Sequence, residues 1–196
     1  HGNHDPVLDG WTAVRRWPTA ELGPERVSIG KNALSDTHAL AAITAISTHL
    51  QRAVANGADL EARAGLMLGA LHAGLAFGTA GTAAAHAIQY PVGALTHTAH
   101  AVGVAVLMPY VMAFNRPACT QEFVQIARAM GVQGHDTEAL ADAAIGAVAK
   151  LFESVSIPTR LTDLGLTEER AGWVAAQSLL SARLGNNNPR PLDQPS

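Results

Sequence analysis

The 196 residues contain a single cysteine, Cys119, so no disulfide can close within the chain. That excludes a small disulfide-stapled fold and leads us to expect a reducing, cytoplasmic setting. Cys119 itself reads as a small core residue rather than a nucleophile. Charge is also scarce: 15% of residues are Asp, Glu, Lys or Arg, the net charge is −3, and no basic run occurs. The electrostatic footprint of a nucleic-acid binder is therefore absent. The chain opens His1-Gly2-Asn3-His4, with neither an initiator methionine nor an apolar stretch, which we read as a trimmed terminus without a secretory leader. Between Arg63 and Arg116 there is not one charged residue. A membrane span needs about 20 strongly apolar residues. This stretch is instead rich in alanine and glycine, carries His72, His86, His97 and His100, and contains Pro91 and Pro109. We expect buried helices and no membrane partner.

What the chain does have is aliphatic. Apolar residues make up 48% while aromatics supply only 5%, a balance that suits closely packed helices better than a β-sandwich. No alternation of period two stands out, so the expected class is all-α. Residues 1–34 read as an irregular entry segment with one short helix near residues 9–16, residues 35–185 as a helical metal-binding domain, and residues 186–196 as an irregular tail. Ser35 is a candidate N-cap, followed by Leu40, Ile43, Ile46, Leu50 and Val54 at helical spacing, with Gly57 as a left-handed stop. Asp59 caps the next helix, whose Gly65, Gly69, Ala73 and Gly74 let neighbours come close. A third helix spans 81–89 and stops before Pro91. A fourth runs from His100 to Met112, kinked at Pro109. Thr120, Asp136 and Thr167 open the last three, the final one ending at Gly185.

His86, His97 and His100 fall within fifteen residues of this uncharged region. Imidazole nitrogen suits iron, zinc and similar ions. His86 lies on one predicted helix and His100 at the start of the next, so the two can converge on one ion. His97 and His100, three apart, can share a helical face. Spacing alone leaves a second reading open, in which these are hydrogen-bonded core histidines.

The run Ala85-His86-Ala87-Ile88-Gln89-Tyr90-Pro91-Val92-Gly93, then His97-Thr98-Ala99-His100-Ala101-Val102-Gly103, then Leu107-Met108-Pro109-Tyr110-Val111-Met112-Ala113-Phe114-Asn115 resembles the signature of iron-containing alcohol dehydrogenases. Ser35-Asp36, Asp59-Leu60-Glu61-Ala62-Arg63, Ala73-Gly74-Leu75-Ala76-Phe77, Ile157-Pro158-Thr159-Arg160-Leu161 and Asn188-Pro189-Arg190 extend the likeness over residues 35–192. The resemblance implies the helical, metal-binding half of a two-domain enzyme, whose other half binds NAD(P). It implies a divalent metal, iron or else zinc, with His86 and His100 as ligands. Tyr90 and His97 then belong to the catalytic pocket, and the substrate is a small alcohol or aldehyde. A homodimer or an N-terminal nucleotide-binding domain outside this chain are the partners it suggests.

Two features depart from the family pattern. The family's first two ligands, an aspartate and a histidine four apart on a helix, have no counterpart in residues 1–34, where no Asp-x-x-x-His occurs. His4 and Asp9 are substitute candidates, or else solvated terminal residues. The Pro-His-Gly usual at the last ligand is Ala99-His100-Ala101. A dinucleotide site needs a glycine-rich turn between strand and helix. Gly78-Thr79-Ala80-Gly81 lies in helical territory and does not supply one. Three expectations follow: the substrate-side part of an NAD(P)-dependent alcohol dehydrogenase, a standalone or degenerate helical metal-binding protein, or a zinc-dependent relative of the glycerol dehydrogenase or dehydroquinate synthase type.

Overall fold

Asn32, not Ser35, opens the first helix of the computed structural model, which describes residues 30–193. The Asn32 side chain accepts hydrogen bonds from the backbone N–H groups of Leu34 and Ser35, both at 3.0 Å. Ser35 Oγ accepts the Asn32 N–H at 2.9 Å in return. This reciprocal box satisfies donors that a helix start leaves unpaired. Ser35 thus sits three residues inside the cap. Both residue types cap well, and sequence alone does not rank them.

Among the described residues eight α-helices follow one another: α1 (Ala33–Ala55), α2 (Leu60–Ala80), α3 (Ala84–Thr96), α4 (His100–Asn115), α5 (Thr120–Ala129), α6 (Thr137–Ser154), α7 (Glu168–Leu179) and α8 (Ala182–Asn186). Short 3-10 turns occupy Arg116–Ala118 and Leu161–Leu164. No strand occurs among the described residues, and the fold is all-α. The helix expected near residues 9–16, like His4 and Asp9, lies outside the described residues.

α1 and α2 form a hairpin packed along its length. Its turn ends α1 at an extended Asn56, with φ −138°, and Gly57 is not among the left-handed residues. Asp59 caps α2 as expected, accepting the Ala62 N–H at 2.9 Å. Glycine permits the close approach at two points. A Cβ on Gly69 would stand 2.8 Å from Ile46 Cγ1, and one on Gly65 would strike the His49 ring. Gly74, in contrast, faces open space.

Both internal prolines are carried inside helices. α3 continues through Pro91 to Thr96, and α4 through Pro109 to Asn115. A proline in a helix interior loses one hydrogen bond and costs about 3 kcal/mol. In α3 the burial of Ala87, Gln89, Pro91 and Val92 against neighbouring helices offsets that loss. Cys119, rather than Thr120, holds the cap position of α5. Asp136 caps α6 through the Ala139 N–H. The single final helix expected from sequence is broken at Leu180 and Ser181 into α7 and α8.

Two apolar clusters hold the body. Met112, Cys119, Phe123, Val124, Ala127, Leu140, Ala141 and Ala144 join α4, α5 and α6. Val92, Leu166 and Val174 join α3 to α7. Cys119 is a buried core residue. The tail beyond α8 is irregular yet anchored. Asn188 and Asn115 exchange amide hydrogen bonds at 3.0 and 2.8 Å. Asn187 Nδ2 donates to the carbonyls of Ala80 and Thr82 at 2.9 and 3.1 Å, which fixes the entry into α3. Among the described residues no single helix is long and apolar enough to cross a membrane. α2 and α3 pass that test only together, and they bend by 104° at their junction.

Candidate metal centre

α3 presents His86 in its first turn and Tyr90 one turn later, on one side of the helix. Residues four apart share a helical face, so this placement follows from the spacing. The opposite side carries Ala84 and Ile88, which line an apolar cavity of about 400 Å³ together with Leu107, Tyr110, Leu161 and Val174. The cavity and the histidines therefore lie on different faces of α3.

The link between α3 and α4 is three residues long, His97 to Ala99. His97 turns the chain in the left-handed conformation, φ 56° and ψ 21°, and its N–H caps the Gly93 carbonyl at 2.9 Å. Few non-glycine residues adopt that backbone. Thr96 Oγ1 and Thr98 Oγ1 lie 2.7 Å apart across the turn. The reversal sets His100 as the first residue of α4 and brings its ring back over α3.

His86 and His100 meet there. Their ring centroids are 5.1 Å apart with planes inclined at 55°. An ion about 2.0–2.1 Å from one nitrogen of each ring, at ligand angles of roughly 90–110°, sets two imidazole centroids about 4.5–5.2 Å apart. The observed separation is of that size. The Tyr90 ring also stacks on His100, at 6.0 Å and 25°. Burial pushes the His86 pKa below its ordinary value, and the neighbouring His100 adds to the effect. Both favour the neutral imidazole, the form with a lone pair for a cation.

Sequence reasoning missed one member of the cluster. Gln89, almost fully buried, places its Oε1 2.8 Å from His100 Nδ1. His97, in contrast, stands apart on the surface as the cap of α3. Because α4 begins at His100, the helical face expected to hold both His97 and His100 does not exist. Among the described residues no group of three or more His, Cys, Asp or Glu gathers to hold an ion. Tyr90 and His100 are exposed, so the two imidazoles lie on an open face of the helical body. Gly78, Thr79 and Ala80 close α2 with Gly81 as its cap, which rules this run out as a phosphate-binding turn after a strand.

Residues 26–196 match the Fe-containing alcohol dehydrogenase family, C-terminal part. The chain is 37% identical over 169 residues to long-chain-alcohol dehydrogenase 1 of Geobacillus thermodenitrificans, covering 85% of this chain and 42% of that protein. Among solved structures, a 1,3-propanediol oxidoreductase superposes with a TM-score of 0.80 at 35% identity, over 84% of this chain and 43% of the other. A sulfoacetaldehyde reductase from Bifidobacterium kashiwanohense, crystallised in complex with NAD+, superposes with a TM-score of 0.71 at 28% identity, over 85% and 42% of the two chains. The chain spans less than half the length of the curated relatives it matches.

Proposed function

Because this chain belongs to the Fe-containing alcohol dehydrogenase family, we propose that it is the substrate-side, metal-binding part of an NAD(P)-dependent oxidoreductase acting on small alcohols and aldehydes. His86 and His100 are two ligands of one divalent ion, iron or else zinc. The observation that supports this most is the 5.1 Å approach of their rings across the α3–α4 reversal. When bound, such an ion supplies Lewis acidity toward an alcohol or carbonyl oxygen during hydride transfer to or from a nicotinamide. The chain's own residues hold and orient. Half-buried His86 offers a neutral nitrogen, and the fixed turn at His97 sets the angle at which His100 enters. Tyr90, stacked on His100, walls one side of the open face and limits where a substrate oxygen can sit. His97, beside them in the turn, shapes the pocket or passes a proton.

A second reading is favoured by one specific observation: the described residues gather no group of three or more metal-binding side chains. On that reading the chain is a helical metal-binding protein without dehydrogenase activity. The mass of the native protein distinguishes the two, and NAD(P)-linked oxidation of small primary alcohols against glycerol separates the first from a zinc-dependent glycerol dehydrogenase relative. The ligand assignment is tested by metal analysis of the intact protein beside His86→Ala and His100→Ala. Each substitution is expected to remove most of the bound iron or zinc. Undiminished metal in both would overturn it.

A further inference from the structure

We infer that Gln89 is a positioning residue, which locks His100 in the tautomer with its proton on Nδ1 and leaves Nε2 free to take a cation. This rests on the proposed ligand role of His100, but its physical basis is independent of any ion. An amide oxygen can only accept a hydrogen bond, so Gln89 Oε1, 2.8 Å from His100 Nδ1, requires the proton on that nitrogen. A neutral imidazole protonated on Nδ1 has its lone pair on Nε2. Partners of this kind fix both the orientation and the basicity of ligating histidines.

The surroundings hold Gln89 in that pose. It is 4% exposed, on the face of α3 turned to α4. Two glycines leave room for its side chain. A Cβ on Gly103 of α4 would stand 2.8 Å from Gln89 Cγ and 3.2 Å from its Nε2. A Cβ on Gly93, one turn along α3, would stand 2.8 Å from Nε2. Both contacts are closer than real Cβ atoms tolerate without a shift, so an alanine at either position displaces the amide. The pair of glycines thus acts on His100 through Gln89.

Two readouts on the intact protein test this. The first is 15N NMR of the histidine side chains in metal-free protein. His100 should carry its proton on Nδ1, and Gln89→Met, which keeps length but removes the acceptor, should populate the other tautomer. The second is the Kd for cobalt(II), read from its visible absorption. Gln89→Met should weaken it about 10- to 100-fold, the range typical of lost outer-shell partners. Gln89→Glu retains an acceptor and should restore binding. Gly103→Ala should weaken binding in the same direction, and adding it to Gln89→Met should cost little more. A wild-type His100 protonated on Nε2 would overturn the inference, since the amide would then be donating through its nitrogen. Unchanged affinity in Gln89→Met, in a protein where His100→Ala loses the metal, would overturn it as well. Should His100→Ala bind cobalt as tightly as wild type, it is the ligand reading that has failed, and the failure shows in that arm rather than in the Gln89 variants.

Discussion

The α4–α5–α6 region and the α3–α4 reversal share a helix yet are built on opposite plans. In the first, Phe123, Val124, Leu140 and Met112 close on one another with little contact with solvent. Arg116 pins it from outside, with Nε 2.7 Å from Asp142 and Nη1 2.5 Å from Glu138. In the second, three rings and an amide are held within a few ångströms while one side stays open. Burial of apolar area stabilises the closed region. The open one spends glycines, prolines and a left-handed histidine on placing polar atoms. Stability and chemistry are therefore expected to respond to different substitutions, and that separation can be attacked directly.

The largest effect expected belongs to the open region. His86→Ala and His100→Ala should each weaken metal binding by more than about 100-fold, beyond the outer-shell range. Thermal unfolding of the metal-free protein should scarcely change, as followed by circular dichroism. Next is the closed region: Phe123→Ala should cost about 3–5 kcal/mol in denaturant unfolding. In that variant metal affinity measured below the transition should stay within a factor of a few. A smaller loss, about 1–3 kcal/mol, is expected for Asn188→Ala, which leaves the buried amide of Asn115 without its partner. Because the tail also fixes the entry to α3, this variant sharpens the comparison. It should lower stability and loosen metal binding together.

The smallest effect concerns Asp59, in the turn between α1 and α2. Its backbone bond to the Ala62 N–H, foremost, and the Arg52 guanidinium hold its carboxyl below the usual carboxylate range. A depressed carboxylate pKa means the unfolded chain binds the proton more readily, so the stabilisation is present above about pH 4 and fades as pH falls through the folded value. Asp59→Ala should lower the unfolding midpoint by a few degrees at pH 7. As pH falls through the folded value, the difference between the two proteins should narrow.

Much of the fold is legible in local chemistry because caps act locally. Asp59 and Asp136 open helices where the sequence places them, and Gly131 takes the left-handed stop after α5. Where two good caps compete, as Asn32 and Ser35 do, propensity gives no ranking and the reciprocal box decides. Pro91 misleads for a different reason. Its local cost is real, but burial of the α3 face overrides it. The meeting of His86 and His100 is readable from a helix, a short link and a second helix. Gln89 is not, because its contact depends on how α4 crosses α3 and on the space left by Gly93 and Gly103, which no local pattern encodes. The buried Asn187 and Asn188 escape notice likewise, since asparagine and proline in a tail read as solvated loop.

The central claim is that two imidazoles fourteen positions apart grip the same ion. X-ray absorption at the iron or zinc edge of the loaded, intact protein measures this directly. We predict nitrogen neighbours at about 2.0–2.1 Å with imidazole scattering that weakens in His86→Ala and again in His100→Ala. A spectrum without histidine scattering, or one that neither substitution alters, would contradict it.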